Sequence, residues 1–258
     1  MNGSDGADSW LPASAEAAWG MRERPSRGRK PVLRIDRIVT TAVDLAAREG
    51  LDSVSMVRVA KELGTSTMSL YRYVAARDEL YLLMQEAAVG PPPPPPPPGT
   101  GWRDALLTWA TAQRATVHRH PWMLRLPITG PPLTPNSVAW WERGLDALAD
   151  TPLDDGEQIS VIMLIGGFVR HEASVAADLG AAVAASGLDP EEAMRRYVRT
   201  VERVADPAHH PRVARFLRSG VLFETGDPDH EFTFGMARIL DGVEALVDAH
   251  ARTSLGDT

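Results

Sequence analysis

The sequence contains no cysteine. This absence excludes a disulfide framework, an iron–sulfur cluster, a zinc site built on cysteine and a thiol nucleophile, and it suits a reducing compartment. The first twenty residues carry Asp5, Asp8 and Glu16 and no continuous apolar run, so they lack the pattern of a secretory signal peptide. We therefore expect a cytoplasmic protein.

Long apolar runs and strand patterns are also scarce. The longest apolar run, residues 159–169, is about half of the ~20 residues that a membrane-spanning helix needs, and Ser160 and two glycines interrupt it. No alternation of apolar and polar residues follows Trp102. The 258 residues, 44% of them hydrophobic, are enough for one large domain or two small ones. We expect an all-α protein that does not bind membranes.

Charge is distributed unevenly along the chain. The formal net charge is −7, which by itself argues against nucleic acid. Residues 21–77 nevertheless carry 12 basic against 6 acidic side chains, whereas residues 78–258 carry 15 against 25. Basic residues crowd the stretch from Arg22 to Arg37. Such a run is usually a solvated tail, but it can also follow a phosphate backbone or enter a minor groove.

The chain divides into four predicted segments. Residues 1–32 form a disordered basic extension, because they show no periodicity and are rich in Ser, Gly, Ala and Arg. Residues 33–90 form a helical module and residues 91–100 a linker. In the module, three- and four-residue spacing of apolar positions and helix-breaking glycines predict helices at 36–49, from Ser53 or Ser55 to Gly64, at 67–73 and from Arg77.

An unbroken proline run, Pro91–Pro98, follows this module. Proline cannot continue a helix or a sheet, so the run is predicted to be an extended spacer between two modules. The alternative, a ligand for a domain of the SH3 type, lacks a flanking basic residue. Residues 101–258 are predicted to be a second, all-helical domain, with helices at about 102–119, 134–150, 155–185, 190–205, 211–219 and 229–252.

The basic module has the pattern of a helix-turn-helix. Ala60 lets two helices cross closely, Gly64 suits the turn, and Leu70 and Val74 face the core. The third helix then exposes hydroxyls that can donate to phosphates or base edges, and a methionine that can contact a thymine methyl. Tyrosines there can reach phosphate oxygens, although they are as often core residues. The residues left on this side are Thr65, Ser66, Thr67, Met68, Ser69, Tyr71, Arg72 and Tyr73.

Four short motifs carry a family resemblance: Val59-Ala60, Leu63-Gly64, Ser69-Leu70-Tyr71-Arg72-Tyr73-Val74 and Arg77-Asp78-Glu79-Leu80. With them, residues 34–88 resemble the tetracycline-repressor (TetR) family of bacterial transcriptional regulators. The resemblance implies a homodimer that binds a pseudo-palindromic operator in double-stranded DNA and commonly represses transcription until a small ligand binds. The positions that match the family's usual DNA contacts are Ser55, Thr67, Met68, Ser69, Tyr71, Tyr73 and Arg77.

The C-terminal part is similar to the tetracycline-repressor subclass through Trp102-Arg103-Asp104 and through residues 118–132. Pro127 and Pro131 stand where that subclass carries a metal-ligating histidine and a nearby arginine. We therefore expect no metal, no cofactor and no recognition of a magnesium–tetracycline chelate.

Aromatic and methionine residues on the predicted C-terminal helices offer material for an apolar cavity. Any one of them is more often plain core, and the polar residues spaced among them are more often at the surface. The pattern predicts an aromatic or polycyclic, mainly hydrophobic effector. The candidate ligand-binding residues are Trp109, Arg114, His118, Trp122, Trp140, Trp141, Met163, Phe168 and His171.

Enzyme classes find little support. His118 and His120 are two positions apart and face different sides of a helix, so they do not form the i, i+4 pair of a helical zinc site. Gly166-Gly167 lies inside an apolar helix, not in a phosphate-binding loop. We expect no enzyme. One alternative stays open: an architectural or activating DNA-binding protein without a ligand, which would bind with weak sequence preference and a steep salt dependence.

Overall fold

The computed structural model describes residues 13–21, 33–128, 130–223 and 229–256. These residues contain helices and no strand, so the all-α prediction is confirmed. The described α-helices are α1 (Ala13–Ala18), α2 (Ile35–Glu49), α3 (Met56–Glu62), α4 (Thr67–Tyr71), α5 (Arg77–Val89), α6 (Trp102–Arg119), α7 (Pro135–Asp146), α8 (Asp155–Ser186), α9 (Pro190–Val204), α10 (Pro211–Arg218) and α11 (His230–Gly256). Short 3-10 helices lie at Leu51–Ser53, Pro121–Arg125 and Val221–Phe223.

A first hydrophobic core joins α2, α3, α4 and α5. Helix α2 buries one face through Ile38, Ala42 and Leu45, which recur every three or four residues and therefore lie on one side. Leu70 of α4 and Leu80 of α5 are also fully buried in this core. The predicted third helix is two residues shorter than expected, because Tyr73 N–H bonds the carbonyl of Leu70 in a tighter turn.

A second core joins α6, α7, α8 and α11. Its centre is made by apolar side chains with no exposed surface, among them Leu106, Ile165 and Met236. Helix α8 spans 32 residues and starts with a capping box, in which Asp154 accepts from the Glu157 N–H and the Glu157 carboxylate accepts from the Asp154 N–H. Helices α6, α7, α9 and α11 all contact this long helix.

Helix α1 lies inside the segment predicted to be disordered, so that prediction is wrong for residues 13–18. Ala15 is fully buried and Ala18 packs against the first core, where α1 lies on α5. The Trp19 indole N–H donates to the Leu133 carbonyl at 2.9 Å. Small side chains leave no periodic apolar signal, and tertiary packing provides the stabilisation that the isolated segment lacks. The remaining residues of the predicted extension, 1–12 and 22–32, lie outside the described ones.

The two cores are in direct contact, although the proline run was expected to separate two modules. Glu86 of α5 accepts from the Asn136 backbone N–H at 3.0 Å, and the Asn136 side-chain amide donates to the Glu86 carbonyl at 3.1 Å. The Trp140 indole N–H donates to the Gly90 carbonyl at 2.9 Å. The proline run therefore joins modules that these bonds hold against each other.

Candidate functional site

The turn between α3 and α4 orients the candidate DNA-reading helix. Ser55 caps α3 by accepting from the Arg58 N–H at 3.1 Å, and Ala60 is 2% exposed where the helices cross. Gly64 adopts a φ of +64°, which glycine reaches without strain, and the Thr65 N–H then bonds the Ala60 carbonyl at 3.0 Å. The short loop thus holds α4 at a fixed angle to α3.

Polar bonds order the start of α4. The Ser66 hydroxyl accepts from the Ser69 N–H at 3.2 Å and lies 2.9 Å from the Ser69 hydroxyl. The Arg72 guanidinium reaches the same Ser69 hydroxyl at 3.3 Å. Leu70 is fully buried and anchors the helix to the core. This side of α4 is therefore prearranged, with hydroxyl and guanidinium groups at the surface.

The predicted DNA-contacting residues lie at the start of α3, on and beside α4 and at the start of α5, with different exposures. Met68 is 75% exposed and Tyr71 is 46% exposed, so both side chains are available for contact. Tyr73 is only half-buried and packs against the first core, as a core tyrosine would. Arg77, at the start of α5, stacks over the Tyr81 ring at 5.0 Å.

Two further exposed residues, Val57 and Lys61, were missing from the predicted set. They lie four positions apart on α3 and so share one face. Val57 is 68% exposed, and Lys61 is exposed with no ion-pair partner among the described residues. Their helical spacing opposite the buried Val59 and Ala60 is the signal that could have identified them.

The predicted ligand-binding tryptophans of the second domain are largely structural. Trp109 is 2% exposed, and its indole N–H donates to the Trp140 carbonyl at 2.9 Å. Trp140 is 6% exposed and bonds Gly90, as described above. Trp141 is half-buried against the same core. These rings stabilise the packing of α6 against α7.

Trp122 was expected in the ligand cavity of the second domain, and this placement is wrong. Its ring is 5% exposed and lies in the first core with Met123 and Leu126. The 3-10 helix Pro121–Arg125 contacts α2 and the 3-10 helix Leu51–Ser53. These segments are far apart in sequence, so no local pattern predicts the contact. The segment after α6 therefore belongs physically to the core of the helix-turn-helix.

The predicted polar residues form an ion network between α6, α8 and the start of α11. Arg114 donates from Nη2 to Glu172 Oε1 at 3.0 Å and from Nη1 to Asp229 Oδ1 at 2.6 Å, and it stacks over Phe232 at 4.7 Å. The hydrogen bonds that Arg114 donates to Glu172 are the main cause that raises the pKa of Arg114. His118 Nε2 lies 3.7 Å from Glu172 Oε2. This network occupies the polar groups that were expected to orient a ligand.

The remaining predicted residues do not converge on one pocket. Phe168 is half-buried and stacks on Phe232 at 6.2 Å between ring centres. Met163 is 62% exposed and His171 is also exposed, both on the outer side of α8. In the described part of the chain, no group of three or more histidine or carboxylate side chains could hold a metal ion.

A solvent-open cavity of about 440 Å³ lies instead at the junction of the two modules. Its walls are the C-terminal end of α5, the first prolines of the run, the C-terminal half of α6 and Trp140. Of the predicted ligand residues, only Trp140 lines it among the described residues. Contacts between distant segments create this cavity, and no local pattern marks it.

His120 is a lining residue of this cavity with an unusual imidazole. Burial lowers the pKa of its imidazole, and the positive charge of Arg119 lowers it further. Its Nδ1 atom is buried and has no hydrogen-bond partner in the part of the chain that the structure describes. The imidazole also meets the Trp122 ring edge-on at 6.1 Å between ring centres. The residue thus joins the cavity to the core of the helix-turn-helix.

Two family models match the chain. Residues 38–84 match "Bacterial regulatory proteins, tetR family", and residues 94–247 match "Tetracyclin repressor-like, C-terminal domain". The chain is 40% identical over 239 residues to the HTH-type transcriptional repressor DrrR1 of Streptomyces coeruleorubidus, covering 92% of this chain and 87% of that protein. Its homologues are named as transcriptional regulators, which confirms that it is not an enzyme.

Solved structures with the same fold include ActR of Streptomyces coelicolor in complex with actinorhodin. That structure has a TM-score of 0.68, 27% identity, and covers 84% of this chain and 97% of ActR. The complex of ActR with (S)-DNPA has a TM-score of 0.65 and 28% identity, with 83% and 98% of the two chains covered. Because both modules match in order and most of the chain is covered, the protein belongs to the TetR family of transcriptional repressors.

Proposed function

We propose that this chain is a homodimeric repressor that binds a pseudo-palindromic operator and is released by a small, mainly hydrophobic effector. The observation that carries the proposal is the start of α4, where ordered polar groups surround an exposed Met68 on a helix anchored by Leu70. A helix of this kind in a helix-turn-helix enters the major groove with its N-terminal residues against base edges. A repressor works in the cytoplasm, where its DNA is.

The proposed contacts follow from side-chain chemistry. Thr67, Met68 and Ser69 read base edges, with the Met68 thioether against a thymine methyl. Polar groups around them position the helix on phosphates without reading sequence. This second set comprises Ser55, Thr65, Ser66, Tyr71, Arg72, Tyr73 and Arg77, to which the structure adds Lys61.

The outer faces of α8 and α11 support the homodimer. Met163, Leu164 and Leu179 of α8 are 55–63% exposed, and Phe234 of α11 is 55% exposed. Among the described helices, α8 alone is long and apolar enough to cross a membrane by length and composition. It also carries Glu172, which is paired inside the protein. A second copy of the chain that covers these apolar side chains accounts for their exposure without a membrane.

An effector can act only if it binds two conformations of the protein with different affinity. ActR, which shares the fold and 27% of its sequence with this chain, has been solved in complex with actinorhodin. This supports a small-molecule effector and makes actinorhodin a first probe. The direct contact between the helix-turn-helix core and the segment around Trp122 supplies a physical route from the second domain to DNA.

Selection of genomic fragments by the purified protein at near-physiological salt tests the proposal. The parent should enrich a pseudo-palindromic site, and a Ser69→Ala, Tyr71→Ala variant should lose it. Tyr197→Ala removes a comparably exposed tyrosine from α9 (55% against 46% for Tyr71) and should keep the selection unchanged. Enrichment of no site, together with a steep salt dependence of binding, would support the architectural alternative instead.

A further inference from the structure

The cavity at the junction of the two modules has walls that belong to both of them. The end of α5 comes from the helix-turn-helix module, whereas the C-terminal half of α6 comes from the second domain. Its volume of about 440 Å³ falls within the range of about 300–1,000 Å³ that is typical of small-molecule sites. A molecule bound there touches both modules at once.

The apolar part of the lining is flat and poor in hydrogen-bond donors. Pro91 and Pro93 have no backbone N–H, and four alanines from α5 and α6 contribute only methyl groups. Trp140 adds an indole whose N–H is already bonded to Gly90. Small side chains, proline rings and an indole face suit a planar aromatic molecule, because such rings gain most from flat apolar contacts.

The polar part of the lining has one sign of charge. Arg119 is the one permanently charged side chain among the described residues that line the cavity, and no carboxylate lines it. Arg119 has no ion-pair partner in the described ranges of the chain. His120 lies in the same wall. Arg119 is exposed and the His120 imidazole is partly exposed, so both offer side-chain donors to an anionic group in the cavity.

We propose that this junction cavity is the effector site and that its ligand is a planar aromatic molecule with an anionic group such as a carboxylate. The aromatic rings lie against Pro91, Pro93 and Trp140, and the anionic group pairs with Arg119 and His120. This inference rests on the proposed function as a repressor that an effector releases. It also assigns a role to the proline run, which forms one wall of the site.

The position of the site explains how occupancy reaches DNA. His120 immediately precedes the 3-10 helix Pro121–Arg125, whose Trp122 and Met123 pack in the helix-turn-helix core. A ligand that draws His120 toward its anionic group moves the start of that segment. Because packed cores have discrete arrangements, such a shift changes how the helix-turn-helix sits on the second domain.

Calorimetric titration of the full-length protein with two ligands tests the proposal. Anthracene-2-carboxylate is the anionic probe, and anthracene-2-carboxamide is the neutral control of the same shape. The carboxylate should bind at least about tenfold more tightly than the amide. Arg119→Gln should remove most of this difference, and His120→Leu should reduce carboxylate binding about tenfold. Ala115→Trp, at an exposed position on the rim, should weaken both probes by filling the cavity.

Arg212→Gln provides the matched control, because it removes an exposed arginine on α10, away from the cavity. It should leave both affinities unchanged. Equal binding of the two probes, binding that Ala115→Trp does not weaken, or no binding of either probe would overturn the proposal. Operator binding is measured separately on the same proteins. If the parent protein selects an operator, but the probe neither binds the protein nor releases it from the operator, the proposed effector site is wrong and the repressor function stands.

Discussion

Trp122 offers a direct test of the contact between the C-terminal segment and the helix-turn-helix core. Its ring is 5% exposed in that core, and its indole N–H is buried without a partner in the described part of the chain. Truncation of a buried tryptophan to alanine costs about 3–5 kcal/mol, which combines lost burial with the cavity left behind. Trp122→Ala should therefore lower the free energy of unfolding by that amount and weaken operator binding.

Trp122→Phe separates packing from polarity. Phenylalanine keeps most of the ring and removes the N–H, whose desolvation without a partner costs about 1–3 kcal/mol. Removal of the desolvation penalty of the indole N–H offsets the smaller volume of the phenylalanine side chain. The free energy of unfolding should therefore change by only about 1 kcal/mol. Urea denaturation followed by circular dichroism measures both variants.

A matched control is Trp141→Ala, because that ring is half-buried in the second core. It should cost less than Trp122→Ala and should leave the operator affinity closer to that of the parent. If Trp122→Ala lowers the free energy of unfolding by less than about 1 kcal/mol and leaves the operator affinity unchanged, the ring does not belong to the core of the helix-turn-helix. Loss of effector binding alone would support the ligand-contacting role that the sequence suggested.

Three further predictions concern packing, acid stability and the basic arm. In Gly144→Ala the added Cβ lies 2.9 Å from the buried Trp109 ring, so overpacking should cost about 1–3 kcal/mol of stability, more than the gain in helix propensity. In Gly166→Ala the added Cβ meets only a contact at 3.8 Å, so the variant should gain up to about 1 kcal/mol. Equal stabilities of the two variants in urea denaturation would contradict this. Hydrogen bonds from Arg238, and then from Arg103, lower the pKa of Asp241 from 3.8. The contribution of Asp241 to stability is therefore full above that value and disappears as the pH falls through the lowered pKa, so Asp241→Asn should lose less stability in acid than the parent. Urea midpoints of parent and variant that change in parallel from pH 2 to 6 would argue against these bonds. Replacement of the arginines and the lysine in residues 22–30 by glutamine should reduce the affinity for all DNA sequences while base preference stays. The binding constant should then depend less steeply on salt concentration in a log–log plot. An unchanged slope in a filter-binding assay would make the arm a passive tail.

Local signals predicted the helices and the turn that presents α4. The apolar spacing of α2 and the glycine at position 64 each depend on interactions within a few residues, so a linear pattern contains them. The capping roles of Ser55 and Ser66 are local in the same way, because each hydroxyl accepts from a backbone N–H three positions later.

Contacts between distant segments were not predictable from such patterns. Helix α1 consists of small residues without a strong apolar period, and its order comes from packing on α5 and from the Trp19 bond to Leu133. An aromatic side chain such as Trp122 has the same local signature in either core. The pattern therefore identified it as buried but assigned it to the wrong module.

The sequence by itself determined the helical content, the helix-turn-helix and the basic character of the first module, because spacing, capping and charge act over one or two helical turns. The tertiary structure decided which polar groups were already paired, as Arg114 is with Glu172, and which have no partner among the described residues, as Nδ1 of His120 does not. It also decided where a cavity remains, since α5, the proline run and α6 meet only in the folded chain. Burial and pairing are properties of whole surfaces in contact, so they arise only when segments far apart in sequence pack together.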